Sequence, residues 1–377
     1  MAAKLTAQPL DLDASVRSKF TVKDSFQLPD GEMEFSVVYG PDSKERFVEL
    51  CRALTASGFT PRLAGTKEEA LLFVRKAQTV GERQSRVPVI LALLALGSVL
   101  VFGLFLGIVT YPQYAPSVPG GVVILLYGAA VIGIVAAHEL GHAYISRKKG
   151  ETPPTSYLLP GILGVTYALP VLGIISRQRG PAVNRDRFFD VMLAGPLMGL
   201  AVSLALYVLG ALFAVQSAVP LQSCQQINGT LTLCPSVIQM GLDAVVGPLL
   251  PHAALGYSVL SPLADGAIVG LILTFVGLLP MASLDGGHLS NLVWGPGASR
   301  IATYLSVVLL ISVDPPAYWA LAFVVLLLMS LNRDSEVQLL DEVSSISNNR
   351  RWLYLGALVL ALLCMPLPQT IAGFPLG

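Results

Sequence analysis

The most constraining feature is an apolar run from Val122 to Tyr144 that closes on His138-Glu139-Leu140-Gly141-His142. The run is long enough to span a bilayer, which takes about 20 residues. Ionisable groups inside such a segment are costly and default to a functional reading. His138 and His142 are four residues apart and share one face of a helix. Two imidazoles at that spacing, with a Glu between them, suit a Zn²⁺ ion that keeps an open position. Zinc acidifies a bound water, and the Glu can take its proton. His-Glu-x-x-His also recurs by chance, so the pattern needs a third ligand before it carries weight.

Composition places this motif in a membrane protein. Of 377 residues, 54% are hydrophobic and 13% are charged, against about 25% charged in soluble domains. Net charge is zero, which gives no argument for nucleic-acid binding. The polar first 85 residues contain no cleavable leader pattern. The four cysteines, Cys51, Cys224, Cys234 and Cys364, lack zinc-finger spacing.

The fold class predicted is an α-helical polytopic membrane protein with about six to seven transmembrane helices, a re-entrant hairpin and a small N-terminal α+β soluble domain. Residues 1–86 form the soluble domain, read as a regulatory or docking module. Residues 87–377 form the membrane domain. In the first, Glu34–Tyr39, Thr60–Leu63 and Ala70–Val74 read as strands, with a turn at Gly65-Thr66-Lys67. Ser43–Ser57 reads as a helix, with Phe47, Leu50, Cys51 and Leu54 at helical spacing.

Seven spans are expected: Pro88–Val109, Val122–Tyr144, Phe188–Val215, Ala267–Met281, Ala298–Val313, Ala317–Leu331 and Trp352–Leu367. Charge supports the count. Of 24 Lys and Arg, 13 precede the first span, seven lie between the second and third, one is Arg300, and Arg333, Arg350 and Arg351 lie between the sixth and seventh. Positive charge marks the cytoplasmic side, so seven spans put every Lys and Arg inside. The N-terminus is then cytoplasmic and the C-terminus outside.

Leu158–Ile175 is apolar but carries Pro160, Gly161, Gly164, Pro170 and Gly173, which break helices. It reads as a re-entrant or membrane-surface hairpin, with a plain amphipathic linker as the alternative. In the outer loop, Cys224 and Cys234 either pair or stay as loop thiols, and Asn228-Gly229-Thr230 has the form of a glycosylation sequon. Asp190 and Asp265 read as helix caps.

Leu284-Asp285-Gly286-Gly287-His288 supplies the third-ligand candidate. Asp285 either joins His138 and His142 or caps a turn, since Asp-Gly is a common turn pair. His288 is a rival ligand, but it follows two glycines and reads as interfacial, and His252 lies on the wrong side.

Taken together, these motifs resemble the site-2 protease family of intramembrane zinc metalloproteases. The resemblance rests on His138–His142, on Asp190-Val191-Met192-Leu193-Ala194-Gly195-Pro196-Leu197 and on Leu284–His288, in order across residues 115–295. Ser261-Pro262-Leu263 is similar to the archaeal and plastid-type branch. The resemblance implies one Zn²⁺ per chain held by His138, His142 and Asp285, with Glu139 as general base. It implies single-span membrane proteins as substrates, cut within the bilayer, and no nucleic-acid partner. The family's Asn in its Asn-x-x-Pro pattern is replaced by Gly277. Asn184 and Asn291 are the stand-ins for its substrate or oxyanion role. The outer loop is too short for a PDZ domain. The alternative is an inactive or weak zinc-binding protein that holds membrane clients, and a zinc transporter is a third reading.

Overall fold

The computed structural model describes residues 11–29, 31–77, 85–163, 166, 169–216, 235–249, 259–312, 316–331 and 337–367. Cys224, Cys234, Asn228 and His252 lie outside the described residues. The chain divides into two compact units. One comprises Met1–Gln84, Gly180–Phe188 and Gln338–Ser347, and the other the remainder.

The first unit begins with α1 (Leu12–Arg17), capped by Asp11, which accepts from the Ala14 N–H at 3.1 Å. Then follow β1 (Val22–Gln27), β2 (Met33–Val37), α2 (Ser43–Ala56), β3 (Phe59–Gly65) and β4 (Ala70–Lys76). The strands form one antiparallel sheet in the order β1-β2-β4-β3. Ala70, Leu72 and Val74 alternate inward on β4 and pack with Phe47, Leu50, Cys51 and Leu54 of α2. These are the periods of two and 3.6 legible in the sequence. Gly65, at φ +94°, closes the β3–β4 turn.

Strand β1 carries no such alternation, because its residues after Val22 are all exposed, and the sequence reading misses it. The later segments join the unit through main-chain bonds. The Leu63 N–H donates to the Leu340 carbonyl at 2.7 Å, and the Glu342 N–H to the Leu63 carbonyl at 3.0 Å. Lys44 pairs with Asp186 at 2.5 Å. Val183, Leu340 and Val343 pack against the apolar core. No local period reveals pairing across so long a separation.

The second unit is helical apart from short strand pairs. Helix α3 (Val87–Phe105) runs through a π turn, Leu106–Thr110, into α4 (Tyr111–Tyr114). Helix α5 (Gly120–Lys149) stops at Gly150, in the left-handed region, with Arg147, Lys148 and Lys149 in its last turn. That is a favourable end, because cations complement the helix dipole there.

Strands β5 (Thr155–Pro160) and β6 (Val171–Arg177) pair antiparallel, Ser156 opposite Ser176, with an irregularity at Pro160. The Pro- and Gly-rich stretch is thus a strand hairpin. Helix α6 (Arg185–Leu212) follows, then β7 (Val215–Gln216), α7 (Val237–Val246), β8 (Val259–Leu260), α8 (Pro262–Leu278), α9 (Asp285–Ser312), α10 (Pro316–Leu331) and α11 (Asn348–Cys364).

Among the described residues, three helical stretches are long and apolar enough to cross a membrane: Val87–Tyr114, Gly120–Lys149 and Arg185–Leu212. Helix α8 is shorter, and every residue from Gly266 to Leu278 except Ile268 is buried. Small residues let it sit close to its neighbours: Gly266 lies against Ala130, and Gly270 against Ile134 and Ser203.

Three of the differences from the expected spans bear on the site. Helix α6 starts at Arg185, not Phe188, because Asn184 Oδ1 accepts from the Arg187 N–H at 2.9 Å and caps it. Asp190 therefore lies inside the helix and is no cap. Its carboxylate instead meets Lys149 and Arg350. Helix α8 ends at Leu278, not Met281, and Asp285 opens α9. Helix α9 is two helices broken at Gly295 (φ 82°, ψ 170°), where Pro296 follows.

Candidate metal centre

Helix α5 presents His138 and His142 on one face, and the first residue of α9, Asp285, meets them. The Nε2 atoms of the two imidazoles are 3.1 Å apart. Asp285 Oδ2 lies 3.1 Å from His138 Nε2 and 3.4 Å from His142 Nε2. All three residues are buried, at 7%, 1% and 0% exposure respectively. His142 donates its Nδ1 proton to the Val191 carbonyl at 2.8 Å, which leaves Nε2 as a bare lone pair in the neutral ring.

The His142 lone pair, the Asp285 carboxylate and His138 Nε2 converge closely enough to hold a metal cation between them. Zinc bonds of about 2.0–2.1 Å set tetrahedral ligand atoms roughly 3.3 Å apart, which is the size of this triangle. The donor set therefore fits zinc.

Close approach builds the site. A Cβ on Gly195 of α6 would fall on the His142 ring. One on Gly141 would press on the Ala194 carbonyl. The glycines after Asp285 let α9 start hard against the preceding turn. A Cβ on Gly286 would overlap the Leu278 and Leu279 carbonyls, and one on Gly287 the Met281 carbonyl. Ser283, two residues before Asp285, is held at φ +70°. That conformation is strained for a side-chain-bearing residue, by about 1–3 kcal/mol. Its carbonyl accepts the Ser176 N–H of β6 at 3.0 Å.

His288 is not part of the triangle. Its Nε2 donates to the Ser176 carbonyl at 2.7 Å, so the hairpin and the Asp285 turn are joined twice. Glu139 is half-buried, and its Oε1 has no hydrogen-bond partner among the described residues.

Asn184 is buried, with its side-chain oxygen engaged in capping α6. Asn291 lies on α9 six residues beyond Asp285, about 9 Å along the axis at 1.5 Å per residue. Gly277 is buried in α8, and a Cβ there would meet nothing within 4 Å. Sequence reasoning missed Val191, Ser176 and Ser283. The first acts through its carbonyl, and the other two through backbone groups that no residue type advertises. Gly195 stands in the Asp190–Leu197 motif, but nothing in the sequence pairs it with His142.

The model of peptidase family M50 matches residues 127–313, a stretch that includes all three triangle residues and Glu139. Among curated proteins, the chain is 26% identical over 257 residues to "Probable zinc metalloprotease EGY2, chloroplastic" of Arabidopsis thaliana, covering 66% of this chain and 43% of that one. It is 27% identical over 252 residues to "Probable zinc metalloprotease EGY1, chloroplastic" of the same plant, covering 64% and 42%. The EGY2 protein of Oryza sativa subsp. indica gives 27% over 252 residues, covering 64% and 43%. The chain thus spans less than half the length of these relatives. No solved structure matches it. With three membrane-length helices and this match across its His/His/Asp triangle, the chain belongs to peptidase family M50, the site-2 protease family of zinc metalloproteases.

Proposed function

We propose that the chain is an intramembrane zinc endopeptidase that cuts single-span membrane proteins within their transmembrane segments. One zinc ion is held by His138, His142 and Asp285, and Glu139 is the general base. The observation that carries this reading is the buried triangle of 3.1, 3.1 and 3.4 Å at the end of a membrane-length helix. Zinc at such a site supplies a Lewis acid and lowers the pKa of water toward neutrality.

The chain's own groups do the rest. Glu139 takes a proton at its unpartnered Oε1 and returns it to the leaving amine. The Val191 carbonyl fixes the tautomer and the tilt of His142. Burial of the triangle keeps bulk water away and strengthens each electrostatic contact.

A helical substrate hides its carbonyls in hydrogen bonds, so it unwinds before it is cut. The β5–β6 hairpin, read as re-entrant, has two strands; β6 is engaged at Ser176 by Ser283 and His288, which leaves the outer edge of β5 without a partner strand among the described residues. Such an edge can hold an extended segment. Lys and Arg lie on the cytoplasmic side in this arrangement, with the N-terminus inside and the C-terminus outside. A second reading, a protein that holds clients without cutting them, draws on Gly277 in place of the family's Asn. The unpartnered Glu139 oxygen favours cleavage, because holding a client needs no base.

The test is reconstitution of the full chain in liposomes with a panel of single-span substrates. Cleavage is expected that a chelator abolishes and zinc restores, and that Pro or Gly near the cut site accelerates. A zinc-loaded protein that cleaves none of the panel would favour the client-holding reading.

A further inference from the structure

We propose that Arg350 is a positioning residue for the metal centre, acting through Asp190 and the Val191 carbonyl on the orientation of His142. This rests on the zinc reading of His138, His142 and Asp285, and the experiment below separates the two.

Arg350, in the first turn of α11, grips Asp190 of α6 with both arms of its fork. Nε donates to Oδ1 at 2.8 Å, and a terminal nitrogen to Oδ2 at 2.7 Å. Lys149 Nζ, at the end of α5, reaches the same Oδ2 at 2.9 Å. The three side chains are only 22%, 21% and 34% exposed, so solvent screens the cluster incompletely. Two cations on one carboxylate leave it no freedom to rotate, and the planar guanidinium fixes both oxygens at once.

The next residue along α6 is Val191, whose carbonyl holds His142. On α5, His142 and Lys149 are seven residues apart and share a face. Helices α5 and α6 are therefore pinned at two points on one seam. One is the ligand's own hydrogen bond, and the other is the ion cluster. Arg350 brings a third helix onto the second point.

A zinc ligand held at Nε2 is oriented by what its Nδ1 meets, and losing such an outer partner typically weakens binding 10–100-fold. Arg350 acts one bond further out, so a smaller effect is expected, about 3–10-fold. It lies beyond the segment matched to the family, which ends at residue 313.

The test uses the full-length protein in detergent, loaded with zinc or with cobalt. Zinc release to a chelator, the visible absorption of the cobalt form and the thermal midpoint are measured for wild type, Arg350→Gln, Arg350→Lys, Asp190→Asn and Arg351→Gln. Arg350→Gln and Asp190→Asn should release zinc about 3–10-fold faster, with altered cobalt bands and a near-normal midpoint. Arg350→Lys should be intermediate, and Arg351→Gln should match wild type. Unchanged release and cobalt bands in Arg350→Gln, from a wild type that holds zinc, would overturn the proposal alone. A lowered midpoint with normal cobalt bands would also overturn it, in favour of a merely structural role. A wild type that holds no zinc would overturn the metal reading and this proposal with it.

Discussion

Gly195 faces the imidazole of His142 so closely that a methyl group on its Cα would overlap the ring. The small residue of the Ala194-Gly195-Pro196 segment is therefore a seat for the His142 ring of the triangle as well as a helix-packing contact. Gly195→Ala should push His142 off its Val191 bond and out of the triangle. Zinc content should fall at least 10-fold, on the scale of a lost outer-shell partner, while far-ultraviolet circular dichroism keeps its helical signal. Full zinc occupancy in this variant would show that the ring has room the structure does not give it.

His288 ties the hairpin to the Asp285 turn and takes no place in the triangle. His288→Ala should keep its zinc yet lose activity, because β6 is then held to the turn by the Ser176–Ser283 bond alone. One lost buried hydrogen bond is worth about 1–3 kcal/mol, which corresponds to roughly 5–150-fold in kcat/KM. His288→Gln, which can still donate to Ser176, should recover part of it. Loss of zinc in His288→Ala would instead assign it to the metal.

Gly277 has open space where a side chain would go. Gly277→Ala should fold normally, bind zinc normally and gain about 0.5–1 kcal/mol of helix stability. Gly277→Asn should also fold and hold zinc. Thermal midpoints and zinc assays on both variants check this.

Outside the membrane helices, Asp341 is wholly buried in the first unit. Its Oδ1 accepts the Val343 and Ser344 N–H groups at 3.1 and 2.8 Å, while Oδ2 has no partner among the described residues. Burial holds the carboxyl above its usual range. A raised acid favours the folded form below its unfolded pKa of about 3.9, and that contribution is lost as pH rises through the folded pKa. Asp341→Asn removes the buried charge and keeps an acceptor. Hydrogen exchange of residues 339–346 should be slower in Asp341→Asn than in wild type at pH 7–8, roughly three to four units above the unfolded pKa. The difference should vanish near pH 3. A larger difference at low pH would reverse the sign of the account.

Much of this was legible in the sequence because its signals are local. The buried face of α2 shows in Phe47, Leu50, Cys51 and Leu54, and the Pro and Gly residues of 158–175 foretell a break in helix. His138, Glu139 and His142 announce themselves by spacing. Asp285 was undecided between ligand and cap, and it both opens α9 and meets the imidazoles. What stayed hidden is non-local or carried by the backbone. Asp190 looked like a cap because Arg185-Asp186-Arg187 does not resemble a membrane helix. Its pairing with Arg350 joins residues 160 apart. Segment 338–347 joins the N-terminal sheet at Leu63 by main-chain bonds, and segment 180–188 pairs in turn with 338–341, contacts that side-chain patterns do not encode.

The most direct test of the central claim is Glu139→Gln beside wild type, with zinc content and cleavage of a single-span substrate measured on the same preparations. Gln keeps the shape of Glu139 and cannot accept the proton, and Glu139 is no member of the triangle. The account predicts equal zinc in both proteins, cleavage by wild type, and a loss of at least 100-fold in Glu139→Gln, the scale of general-base catalysis. Cleavage by Glu139→Gln at the wild-type rate, or zinc bound by both with cleavage by neither, would contradict it.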